Sequence, residues 1–103
     1  MGEFVAETPK HSILRKNLSC NGKLRETIME QATEGLKSVF PDQEELLTID
    51  GIRLTLKGGW LLVRMSGTEP VIRITVEGES LKEARQIMEK GARYIKKLLG
   101  NDD

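Results

Sequence analysis

The run Arg64-Met65-Ser66-Gly67-Thr68-Glu69-Pro70 concentrates a cation, two hydroxyls and a glycine in its first five positions, between two otherwise apolar stretches. That set suits a tetrahedral oxyanion such as phosphate. Arg64 supplies a planar fork of N–H donors that can hold two phosphate oxygens at once. Ser66 and Thr68 each add a hydroxyl donor. Gly67 lets the chain turn sharply and bring backbone N–H groups close to an anion. Pro70 fixes the exit into the next strand, and Arg73 on that strand is a supporting cation. Glu69 can orient Arg64 or pair with Arg73. A purely structural reading competes: in a polar hairpin loop, serine and threonine hydroxyls bond their own backbone. From the residue types alone both readings stay open.

Other chemistry-bearing residues carry weaker signals. Cys20 precedes a helix start, where a thiolate is favoured, but no histidine stands near it in sequence. A single cysteine also excludes an intrachain disulfide. His11 is alone. Trp60 offers a ring for a sugar, or more plainly a packing surface beneath the leading segment or against a neighbouring domain. Lys90, Arg93, Lys96 and Lys97 crowd the end of a helix, where cations suit the dipole and a solvated turn explains them. No catalytic residue and no metal-ligand set is assigned within this chain.

These residues need elements to place them. Leu24, Ile28, Ala32, Leu36 and Val39 recur at three and four residues, which predicts a helix over 22–39 with Asn21 as N-cap. Pro41 stops it. Leu46 to Asp50 reads as a strand, and Asp50-Gly51 as a hairpin turn. Ile52, Leu54 and Leu56 alternate with polar residues as in a half-buried strand. Gly58-Gly59 marks the next turn, Trp60 to Arg64 the next strand. Val71 to Glu77 alternates again, with Ile72, Ile74 and Val76 on one face. Without a bulge, Leu61 and Val63 face one side of the sheet and Arg64 the other. Ser80 and Glu83 have capping-box spacing ahead of a stripe formed by Leu81, Ala84, Met88, Gly91, Ile95 and Leu98. Gly100 ends that helix as a C′ residue. Residues 1–18 lack clear periodicity and read as a connection, although His11 to Leu18 can form a short strand anchored by Ile13 and Leu14. Helix, four strands and helix predict an α+β, two-layer domain: a mainly antiparallel four-stranded sheet packed with two helices.

Composition bounds the partners. The chain has 103 residues, room for one domain. Sixteen Lys and Arg against sixteen Asp and Glu give no net charge, which argues against a dedicated nucleic-acid or membrane-surface binder. Aromatics are 4% of residues, few for base stacking. No apolar run approaches the roughly 18 residues of a membrane span, and the start does not read as a signal peptide. The expectation is a reducing, cytoplasmic setting with no nucleic acid and no membrane among the partners.

The stretch from Gly59 to Arg73 resembles the C-terminal (fourth) domain of the α-D-phosphohexomutases, the family of phosphoglucomutase, phosphomannomutase and phosphoglucosamine mutase. The Arg-x-Ser-Gly-Thr-Glu-Pro loop, Ile72-Arg73, the acidic-glycine pair Glu77-Gly78 and a terminal helix follow in the family's order. Met65 departs from it, since many members have proline there; this alters loop stiffness more than donor chemistry. The resemblance covers about residues 20–100, with 1–19 as interdomain linker or remnant and 101–103 as a frayed tail. It implies a TATA-binding-protein-like fold. It also implies a place in an isomerase that interconverts hexose 1-phosphates and 6-phosphates through a bisphosphorylated intermediate. A phosphoserine and Mg²⁺ are then expected in other domains of the parent enzyme, and no cofactor in this one. Arg64, Ser66, Gly67 and Thr68 are the implied ligands of the phosphate that is not reacting, and a phosphorylated hexose and the other three domains the implied partners. Neither the family's acceptor-serine motif nor an Asp-Gly-Asp cluster is present, so the isolated chain is expected to be inactive. Val76-Glu77-Gly78 leans toward phosphoglucosamine mutase-like members. The alternative is a free-standing α+β module that binds a ligand or nucleic acid.

Overall fold

The computed structural model describes residues 3–7, 11–20, 25–48, 51–66 and 71–99, with the backbone alone for 3–7, 25 and 26. In chain order the elements are β1 (Glu3–Glu7), β2 (Ser12–Ser19), α1 (Arg25–Val39), β3 (Glu45–Leu47), β4 (Ile52–Leu56), β5 (Gly59–Met65), β6 (Val71–Gly78) and α2 (Leu81–Leu98). One sheet runs in the order β1-β2-β6-β5-β4-β3, and every adjacent pair is antiparallel. The α+β class and the two layers are as expected. The strand count is not: the sheet has six strands rather than four.

The two additional strands come from the leading segment. That segment is not merely a connection in this fold, because β2 runs beside β6 from Ser12↔Gly78 to Ser19↔Val71. Ser12, Leu14 and Leu18 point into the core, Leu14 with no exposed surface. Lys16 occupies the same parity and interrupts the apolar period, which is why alternation was hard to see there. The position of β2 makes β6 a central strand, with hydrogen-bonded neighbours on both sides.

Strand parity sorts the remaining sheet cleanly. Leu14, Leu18, Ile52, Leu54, Leu61, Val63, Ile72, Ile74 and Val76 are buried on the helix-covered face. Helix α2 lies over β6, flanked by β2 and β5, and α1 packs beside α2. Ile28, Ala32 and Leu36 from α1 join Ala84, Met88, Ala92 and Ile95 from α2 in this core. The two helices meet closely at Gly35, where the Tyr94 ring fills the place a Cβ would take. The Tyr94 hydroxyl donates to the Gln31 carbonyl at 3.2 Å.

Helix boundaries follow local chemistry. Ser80 caps α2, its hydroxyl accepting from the Glu83 N–H at 3.2 Å. The reciprocal half of a capping box is not made: Glu83 Oε2 is buried without a hydrogen-bond partner. The Leu99 N–H closes the other end on the Ile95 carbonyl at 3.0 Å. The Asn21 cap, Leu24, Gly100 and the 101–103 tail lie outside the described residues. Cys20 is buried in the core, which suits packing. No helix among the described residues is long and apolar enough to cross a membrane.

Candidate functional site

Arg64 stands near the end of β5 and is exposed on the face opposite Leu61 and Val63, as the alternation requires. Its register partner on β6 is Arg73, also exposed. The candidate ligand Arg64 and the supporting cation Arg73 are thus directly opposed across one strand pair. One residue farther, Met65 pairs with Ile72, and the Ser66 N–H donates to the Val71 carbonyl at 3.0 Å. That bond closes the neck of the hairpin and holds Ser66 beside the arginine pair. Gly67, Thr68, Glu69 and Pro70, which complete the predicted set, lie outside the described residues.

Two neighbours steady the arginines. Asn17 on β2 is the register partner of Arg73, and its Oδ1 accepts from Arg73 Nε at 3.3 Å. This leaves the terminal nitrogens of Arg73 as donors. Gly51 lies beside Arg64 with φ of 116°, and a Cβ there would stand 2.5 Å from the Val63 carbonyl and 3.0 Å from Arg64 Cγ. A glycine is needed on both counts: L side chains rarely adopt that φ, and the arginine stem uses the space.

The same parity gathers more of the surface than the sequence alone brought together. Arg15 on β2 pairs with Thr75, Thr75 with Leu62, and Leu62 with Arg53. The next row holds Ile13, Glu77, Trp60 and Thr55. Arg15, Arg53, Arg64 and Arg73 are therefore all on the uncovered face of the sheet. The leading segment's lack of clear periodicity hides the placement of Arg15, and a charged residue on a half-buried strand such as Arg53 looks like ordinary solvation. The signal was present: Arg15 alternates with Leu14, and Arg53 with Ile52 and Leu54.

Trp60 lies under the Arg53 guanidinium, 5.0 Å from ring centroid to Cζ. It sits on β5, two strands from β2. His11 Nδ1 is 3.4 Å from Glu77 Oε2 at the far end of this face. A concavity of about 590 Å³ is bordered by Arg15, Asn17, Arg64, Arg73, Thr75 and Trp60. A separate hollow of about 450 Å³ lies between Phe40, Leu56 and Ile87 on the other side and contains none of the predicted site residues. In the basic turn of α2, Arg93 is engaged by Glu89 at 3.1 Å.

Comparison with known proteins identifies the lineage of this hairpin and sheet. Residues 17–93 match the family model described as the phosphoglucomutase/phosphomannomutase C-terminal domain, and the chain belongs to that family. It is 38% identical over 101 residues to a probable phosphoglucosamine mutase of Methanothermobacter thermautotrophicus, covering 97% of this chain and 22% of that protein. It is also 38% identical over 97 residues to the phosphoglucosamine mutase of Methanocaldococcus jannaschii, covering 94% of this chain and 21% of the relative. A crystal structure of a phosphoglucomutase/phosphomannomutase family protein from Burkholderia thailandensis superposes with a TM-score of 0.62 at 27% identity, covering 85% of this chain and 18% of that one. The chain thus spans about a fifth of the length of the relatives it matches.

Proposed function

We propose that this domain holds the non-reacting phosphate of a hexosamine phosphate in a phosphoglucosamine mutase-type isomerase. The observation that carries the proposal is the opposed pair Arg64 and Arg73 at the neck of the Ser-Gly-Thr hairpin. Opposed like charges destabilise an antiparallel pair, and an anion between them reverses that cost. The names of the relatives support the choice of sugar.

In this reading Arg64 and Arg73 bind the phosphate through charge-assisted N–H donors, and the Ser66 hydroxyl adds another. Gly67 and Thr68 complete the set on the strength of the motif, with Glu69 in a supporting role. A site that reads phosphate and leaves the sugar alone can accept either end of a bisphosphorylated intermediate. Binding energy at the remote phosphate then positions the reacting one. The phosphoserine and Mg²⁺ that supply phosphoryl-transfer chemistry belong to other domains of the parent protein. Among the described residues no group of three or more carboxylate, imidazole or thiolate side chains is placed to hold a metal. A nucleic-acid role is less well supported: Trp60 is the one aromatic side chain described on the uncovered face, and Arg53 already occupies its ring.

Arg64→Ala in the full-length parent tests the assignment. The expected result is a 10- to 100-fold fall in kcat/KM, on the order of the 1.5–3 kcal/mol of a hydrogen bond to a charged group. The variant's melting temperature should not fall below the parent's, because the side chain is exposed and its loss relieves an opposed like-charge pair. Unchanged kinetics would sink the assignment.

A further inference from the structure

We propose that Asn17 is a positioning residue for the anion site. Its side-chain amide holds the Arg73 guanidinium through an uncharged acceptor, so the arginine keeps its full charge for the phosphate. The inference rests on the phosphate reading of Arg64 and Arg73 and adds a residue that reading does not use.

Register carries the argument. Arg73 on β6 is flanked by Arg64 on β5 and by Asn17 on β2, so the three form one row across the uncovered face. A like charge stands on one side of Arg73 and a neutral amide on the other. Left untethered, a guanidinium opposed by Arg64 is driven away from it, and gathering its long side chain around a ligand costs rotamer entropy. The Arg73 Nε–H can only donate, so the amide must turn its carbonyl oxygen toward it. Asn17 Oδ1 accepts that bond at 3.3 Å. A bond at Nε orients the guanidinium plane and leaves the two terminal nitrogens as the fork that phosphate takes. Part of the ordering is then complete before the ligand arrives.

The chemistry of position 17 favours an amide over a carboxylate of the same size. A carboxylate would bond the Nε–H more strongly. It would also offset the charge of Arg73 and repel an incoming phosphate. Asn17 borders the same concavity as Arg64 and Arg73, so a negative charge placed there would act on the ligand itself. The backbone beneath it is held firmly, since β2 pairs with β6 from Ser12 to Ser19.

The experiment titrates the purified chain with inorganic phosphate. The Ser66 amide shift reports binding, and water exchange at the Arg73 Nε–H reports the tether. Asn17→Ala should speed that exchange and weaken phosphate binding about 3- to 10-fold, the worth of one hydrogen bond. Asn17→Asp should keep the exchange slow and yet weaken binding by about 10-fold or more. A merely structural role would not separate these two readouts. In an Arg73→Gln background, Asn17→Ala should change the affinity no further, because no guanidinium remains to be positioned. Wild-type affinity in Asn17→Ala or in Asn17→Asp overturns the positioning role. So does an Asn17→Ala loss that persists in full beside Arg73→Gln. If Arg64→Ala and Arg73→Gln also leave the affinity unchanged, the phosphate reading falls as well. If those two weaken binding and the Asn17 variants do not, only the role of Asn17 is removed.

Discussion

Arg64 is useful because of what surrounds it. Parity exposes it, the register sets Arg73 opposite, and Gly51 leaves room for its stem. Gly51→Ala should therefore act twice. The backbone strain of a non-glycine residue at that φ costs about 1–3 kcal/mol, and the new methyl group crowds the Val63 carbonyl and the arginine. Thermal unfolding should show the lower stability, and phosphate affinity should fall beyond what the lost stability explains. Wild-type affinity in Gly51→Ala would mean that the arginine does not depend on that space. At this scale the sequence was highly legible. Arg64, Ser66 and Arg73 were identifiable from a short motif, because the three lie within one hairpin. The position of Arg15 on the same face was not, since it is set only by pairing with β6, more than fifty residues away in sequence.

The element that matters most is β2. A segment that looked like a connection contributes Leu14 and Leu18 to the core and Asn17 to the orientation of Arg73. Leu14→Ala is expected to cost about 2–5 kcal/mol, the range for emptying a fully buried leucine site. Equilibrium denaturation measures this, and a loss under 1 kcal/mol would show that β2 is dispensable. Removing residues 1–19 should abolish cooperative unfolding altogether, which a circular-dichroism melt would reveal. Both helices and the strands from β4 to β6 were legible because their apolar periods are long and their turns are marked by Gly51, Gly58-Gly59 and Pro41, whereas the strand expected from Leu46 to Asp50 is the three-residue β3, Glu45–Leu47. In β2 the period is broken by Lys16, and no local signal replaces it. The Gly35–Tyr94 contact was also invisible, since it depends on how two distant helix turns meet.

At the scale of the molecule, the charges balance in sum but not in space. The helices and outer turns carry most of the mixed charge, while the uncovered sheet face is rich in arginine. Such a face sets the local potential that a ligand meets, whatever the net charge. The fold provides a rigid floor for it: a six-stranded sheet backed by two helices, with the hairpin at one end. The purified chain is expected to show no mutase turnover with glucosamine 1-phosphate, Mg²⁺ and a bisphosphate activator. A coupled assay checks this, and measurable turnover would place catalytic groups inside the chain.

The central claim is that the hairpin neck recognises phosphate independently of the sugar. It is tested most directly by amide and arginine side-chain NMR shifts during titration with glucosamine 6-phosphate, glucosamine 1-phosphate and glucosamine. Both phosphates should move Arg64, Ser66 and Arg73 in the same pattern and to saturation, and glucosamine should move none of them. Shifts confined to the basic turn of α2, or equal shifts with unphosphorylated glucosamine, would contradict the account.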